Sequence, residues 1–204
     1  DQKGGWVEEA IDAIILAGDK SASRNLFGKN KSELKIASIP VLILVLKALD
    51  QVRRVKRMVI IGPKKDICGC LEKHSQLLSH KTPIEVLEQH DNVFQNFWDA
   101  FTHTIDGYQE GMDLEDPSIK DKPVLVVPCD TPLITVREIN EFLDNSPLDQ
   151  LDYCIGMTEE KHLEKFYPQA EKPGIKMTYL HLAEGNYRLN NLHLLKPLQI
   201  GNLS

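Results

Sequence analysis

Long hydrophobic runs are missing from this sequence. No stretch reaches the ~18 apolar residues that a membrane-spanning helix needs, and no signal-peptide pattern is visible. No membrane partner is therefore expected, and the cytoplasm is the expected compartment. Positive charge is also scarce: 24 Lys and Arg stand against 30 Asp and Glu, for a net charge of −6 without any basic run. Nucleic-acid binding relies on concentrated positive charge against the phosphate backbone, so no nucleic-acid partner is expected. A small anionic ligand needs only a few local cations and stays open. Cysteine is sparse. Cys68-Gly69-Cys70 is too closely spaced for a zinc knuckle, and Cys129 and Cys154 form no second pair. All four read as small buried hydrophobes in a reducing compartment. No internal repeat and no convincing interdomain linker is seen.

What is present fits a globular chain: 204 residues, 42% hydrophobic and 26% charged, enough for a sizeable core. Ile11–Leu16 is β-branched and nearly all apolar, as in a strand covered on both faces. Pro40 opens an expected helix over Val41–Val52. Arg57–Ile61 reads as a second strand, Lys65–Leu78 as a helix and Ile84–Leu87 as a third strand. Asn92 can cap a helix running to Ile105, whose Val93, Phe94, Phe97, Trp98 and Phe101 recur at helical spacing. Asp106–Lys122 is polar and punctuated by Gly and Pro, which predicts a long mobile loop. Val124–Val127 is the fourth strand, Thr135 caps a helix to Leu143, and Tyr153–Gly156 is the fifth strand. Lys176–Leu182 and Tyr187–Leu195 flank a turn and predict a hairpin. Strands alternating with helices at this spacing predict one α/β domain over residues 1–204, built on a mostly parallel, mixed sheet with helices on both faces.

Two strand ends hold residues suited to chemistry. After Ile11–Leu16 the chain reads Ala17-Gly18-Asp19 and continues through Ser21, Ser23, Arg24, Gly28, Lys29 and Lys31. An apolar strand running into a loop of small residues, amide donors and cations is suited to cradling phosphates; an ordinary surface connection is the alternative. After Val124–Val127, Asp130 sits between Pro128 and Pro132, at the strand end where an open α/β sheet binds ligands. A carboxylate there can hold Mg²⁺ that bridges phosphate oxygens, or simply cap the turn.

Leu16-Ala17-Gly18, then Ser23-Arg24, then Lys31 resembles the LAGGxSxR…K motif of MobA-like nucleotidyltransferases, which have a GT-A-like, Rossmann-like three-layer α/β/α fold. Ile39-Pro40-Val41-Leu42 resembles the family's entry to its next helix, and Val126–Thr135 resembles its GDxPLI segment. The similarity spans roughly Ile11 to Phe142. It implies transfer of an NMP group from a nucleoside triphosphate to a small phosphorylated acceptor, a sugar phosphate or cofactor precursor, with release of pyrophosphate. In that scheme Leu16, Ala17, Gly18, Ser21 and Ser23 form the phosphate loop. Arg24 and Lys31 meet the phosphates, and Asp130 holds Mg²⁺. Glu88-Gln89 and Asn92 follow the third strand, where relatives contact the base, although Asn92 reads equally as a helix cap. Asn190-Asn191 interrupts an apolar strand, and an asparagine on a comparable late strand, here Asn191, meets the acceptor in relatives. His193 reads as structural.

The sequence departs from the family at three points. Asp19 replaces the second glycine, one extra residue precedes Ser23, and Cys129 replaces the glycine before Asp130. The Asp19 charge would oppose a triphosphate unless a metal or Lys20 offsets it, which supports an alternative reading, a catalytically weak or silent nucleotide-binding domain. The family's second acidic metal ligand has no match up to Ser204, leaving open a lost ligand or a chain that continues.

Overall fold

The computed structural model describes residues 10–19 and 34–200. In chain order the elements are β1 (Ile11–Leu16), β2 (Lys35–Ile36), β3 (Ile39–Pro40), α1 (Val41–Leu49), β4 (Val55–Gly62), α2 (Lys64–Lys73), β5 (Ile84–Glu88), α3 (Val93–Thr102), α4 (Pro117–Lys120), β6 (Val124–Pro128), α5 (Val136–Asp144), β7 (Tyr153–Glu159), β8 (Leu180–Leu182) and β9 (Gly185–Leu195). The main sheet runs β5-β4-β1-β6-β9-β7, with β8 added alongside β9. Strands β5, β4, β1 and β6 are mutually parallel. β9 runs antiparallel to both β6 and β7, so β7 points the same way as the first four. The expected mixed, mostly parallel α/β sheet is what forms.

Helices cover both faces because the central strands are apolar on both. Ala13, Ile15, Met58, Ile60, Leu125 and Val127 pack with Leu42, Leu46, Ile67 and Ile139 of α1, α2 and α5 on one side. Ile14, Val59, Ile61, Val124 and Val126 pack with Phe101 of α3 and Ile119 of α4 on the other. Successive strand residues thus feed opposite cores, as the pleat requires. Among the described residues no helix is long and apolar enough to cross a membrane.

Several boundaries differ from the sequence reading. α1 stops at Leu49, α2 at Lys73 and α3 at Thr102, each short of the expected end. The stretch expected to be a mobile loop is tied down instead. Asp116 caps α4 through the Ser118 N–H at 2.9 Å, and Ile119 is buried in the second core. The Arg57 guanidinium bridges Asp106 (3.0 Å) to the buried Asp12 (3.2 Å), and Lys122 reaches Asp12 at 2.9 Å. These cations compensate a carboxylate that burial alone would penalise. β2 and β3 form a two-residue hairpin whose turn residues, Ala37 and Ser38, both take positive φ (48° and 70°). Asn-Gly is the usual occupant of such a turn.

A second buried carboxylate fastens α1 to the approach to β5. Asp50 accepts from the Ser79 N–H at 2.7 Å, from the Ser79 hydroxyl, and from the Thr82 N–H at 3.1 Å. Burial pushes its pKa up, but the bonds from Ser79 and Thr82 outweigh that and hold it below the ordinary aspartate value. A depressed folded pKa contributes stability above the unfolded pKa that is lost as pH falls through the folded value. Asp50→Ala should therefore cost roughly 2–3 kcal/mol near neutral pH. The gap to wild type should narrow towards about pH 3, as urea melts at the two pH values will show; an unchanged gap would mean the carboxylate's charge is not what matters.

Candidate functional site

The chain steps outward from β1 to β4 to β5, then returns to β6 on the other side of β1. Strand order therefore reverses between β1 and β6, and a crevice opens beyond their carboxyl ends. The register fixes what faces it: Leu16 lies opposite Pro128 and Ile61, and Gly62 opposite Glu88. Pairing runs one residue further on each strand. The Ala17 N–H donates to Ile61 O (2.8 Å), the Cys129 N–H to Leu16 O (3.0 Å) and the Gln89 N–H to Gly62 O (3.0 Å). Ala17-Gly18-Asp19, Cys129-Asp130 and Gln89 thus come together at adjacent strand ends, about 4.8 Å apart per strand.

Two buried carboxamides support the first of these ends. Gln89 Oε1 accepts from the Asp19 N–H at 2.9 Å, and Gln89 Nε2 donates to Asp19 Oδ1 at 2.6 Å. Asn96 Oδ1 accepts from the His90 N–H at 2.6 Å, fixing the turn that carries Gln89. A Cβ on Gly18 would stand 3.1 Å from Gln89 Oε1 and 3.4 Å from Asn96 Nδ2. The glycine lets the loop lie close on this amide tray. The Asp19 carboxylate is thus held in place by Gln89, and Lys20, expected to offset its charge, lies outside the described residues.

Asp130 is exposed at the end of β6, in a turn held by the Thr131 hydroxyl donating to Pro128 O at 3.0 Å. Thr135 and Glu138 then form a reciprocal capping box that starts α5. Beside this turn lies a hollow of about 290 Å³ lined by Thr131, Leu133, Ile134, Glu138, Asn190 and Leu192. Asn190 lies over Gly156, where a Cβ would come within 2.4 Å of its Oδ1.

The sequence candidates divide accordingly. Leu16, Ala17, Gly18 and Asp130 meet at the crevice. Ser21, Ser23, Arg24 and Lys31 lie outside the described residues. Asn92 spends its side-chain oxygen on the Gln95 N–H at 2.8 Å, capping α3, and Gln89 is the residue after β5 that reaches the β1 loop. Asn191 takes a positive φ of 59° at a bulge in the β7–β9 pairing, while its neighbour Asn190 lines the hollow. Asn96 escaped the sequence reading, although an asparagine beside Phe97 and among Phe94, Trp98 and Phe101 was its signal. His193 pairs with the Tyr153 hydroxyl at 2.6 Å, and burial lowers its pKa. Among the described residues no group of three or more His, Cys, Asp or Glu could hold a metal. A single exposed carboxylate from this chain, that of Asp130, still suits Mg²⁺, which uses one or two carboxylates and takes its other oxygens from phosphates and water.

The family model of the MobA-like NTP transferase domain matches residues 13–173. No curated protein sequence matches the chain. The chain is similar in fold to 4-diphosphocytidyl-2C-methyl-D-erythritol synthase from Anaerococcus prevotii (TM-score 0.58, 12% identity, 93% of this chain and 72% of that one). It is also similar to a CMP:2-keto-3-deoxy-manno-octonic acid synthetase complexed with CTP (TM-score 0.55, 13% identity, 92% of this chain and 74% of that one).

Proposed function

Since the chain belongs to the MobA-like NTP transferase family and is a nucleotidyltransferase, we propose that it moves an NMP group from a nucleoside triphosphate to a small phosphorylated acceptor. An acceptor phosphate oxygen attacks the α-phosphorus, the bond to the bridging oxygen breaks, and pyrophosphate leaves. Such chemistry rests on positioning and charge stabilisation. The observation that carries this reading is the meeting of the Gly18 loop and Asp130 at the point where strand order reverses.

The loop that leaves β1 at Gly18 cradles the phosphates through Ser21, Ser23, Arg24 and Lys31, while the Asp19 N–H stays on Gln89 Oε1 and anchors the start of the loop. Asp130 would hold Mg²⁺, and the metal would supply positive charge against the phosphate oxygens. The hollow beside Asn190 and Thr131 receives the acceptor, away from the phosphate loop. The Gln89 clasp fixes where the Asp19 carboxylate lies without cancelling its charge. The test is a panel of the four triphosphates with Mg²⁺ and a set of sugar phosphates, reading pyrophosphate. Acceptor-dependent release with one triphosphate is expected. Saturable binding without release for any acceptor would overturn the reading and favour a silent nucleotide-binding domain.

A further inference from the structure

Helix α2 breaks two local rules on one face. Gly69 sits in its interior, where glycine is unfavourable relative to alanine, and nothing lies within 4 Å of where its Cβ would be. Packing therefore does not explain it. Lys65 stands in the first turn, where the helix dipole disfavours a cation. Departures from local consistency of this kind gather at functional sites.

Both residues line one groove of about 440 Å³ between α2 and the β2–β3 hairpin. Lys35 and Pro40 form the hairpin wall, and Lys65, Asp66, Gly69, Cys70, Lys73 and His74 form the helix wall. The spacing is helical, so these residues share one face. Lys65 and Lys73 lie roughly 12 Å apart along the axis, with Lys35 opposite. Among the described residues none of the three lysines makes an ion pair. Asp66 is the one acidic group in the lining. The groove thus concentrates positive charge on a chain whose net charge is −6.

We infer that this groove, which shares no lining residue with the Ala17–Asp19, Gln89 and Cys129-Asp130 strand ends, is a second anion site for a small molecule bearing two or more phosphate groups. Lysine binds phosphate as a flexible point charge, and three of them around an open trough suit separated phosphates. The volume lies within the small-ligand range of roughly 300–1,000 Å³, which favours a metabolite over a polymer. Gly69 keeps the floor open between the outer lysines. The inference goes beyond the transfer reading and does not depend on it.

Calorimetric titration with inorganic pyrophosphate, without divalent metal, tests it on the full chain. The variants are Gly69→Glu, which places a carboxylate in open space, and the double change Lys65→Ala with Lys73→Ala. Both should keep the fold, and Gly69→Glu should melt no lower than wild type. Each should weaken pyrophosphate binding at least tenfold while leaving acceptor-dependent nucleotidyl transfer within about twofold. Equal pyrophosphate affinity in folded Gly69→Glu and wild type would overturn the inference. So would complete loss of binding in the double change Arg24→Ala with Lys31→Ala, which would put every bound anion in the crevice. Binding of long polyphosphate with none of pyrophosphate would overturn the small-ligand class.

Discussion

Asp130→Ala is expected to lower kcat/KM for nucleotidyl transfer by on the order of a thousandfold, matching the several kcal/mol a correctly held metal contributes. The side chain stands at the exposed end of β6, outside both hydrophobic cores. Removing it opens no cavity, so the melting midpoint should stay within about 2 °C of wild type. Loss of activity with an intact fold would separate a role in the reaction from a role in the turn. The turn keeps its own support, the Thr131 hydroxyl on Pro128 O and the Thr135–Glu138 capping box. A second readout comes from titrating Mg²⁺: Asp130→Asn keeps the shape but loses the charge, and should raise the Mg²⁺ concentration needed for half-maximal rate. If Asp130→Ala turns over at the wild-type rate and Mg²⁺ requirement, the carboxylate does no more than shape the turn, and the metal assignment fails.

How much of this could be read from the sequence depended on how local the cause was. β1 was legible to the residue, because Ile11–Leu16, rich in β-branched isoleucine, is apolar at every position but Asp12 and runs into the small residues Ala17-Gly18. The Asn92 and Thr135 caps were legible for the same reason, since each acts on a backbone N–H three residues away. The clasp between Gln89 and Asp19 joins residues 70 apart and leaves no local pattern. Asp106–Lys122 looked like free loop because its composition is that of a loop. What orders it comes from β1 and β4, through Asp12 and Arg57. The late asparagines fail differently. Period-two alternation assigns strand faces only while register holds. Between Ile155 and Met157 of β7 the partner shifts from His193 to Leu189, and that bulge changes which asparagine meets the hollow.

Gly62→Ala should be the most damaging single methyl in the central sheet. Gly62 ends β4 directly beside the crevice, where Ala17 leaves β1. A Cβ there would lie 2.7 Å from the Ala17 carbonyl oxygen, 2.9 Å from its carbonyl carbon and 2.7 Å from Ile67 Cδ1. The isoleucine methyl can swing aside. The Ala17 carbonyl cannot, because the Ala17 N–H is bonded to Ile61 and the preceding Leu16 O to Cys129. Relief must come from parting β1 and β4, at a cost of roughly 2–3 kcal/mol, or a drop of about 4–12 °C in melting midpoint for a chain of this size. The same movement carries Gly18 and Asp19 off the Gln89 tray. Displacements near 1 Å at reacting groups cost about a hundredfold in rate, so activity should fall even well below the lowered melting point. Gly69→Ala is the matched control: the same methyl added to open space on α2 should stabilise by about 0.5–1 kcal/mol. Thermal melts of the two proteins should move in opposite directions. If Gly62→Ala melts no lower than wild type, there is no crowding at Ala17, and the close approach of β4 to β1 plays no part in holding Gly18 and Asp19.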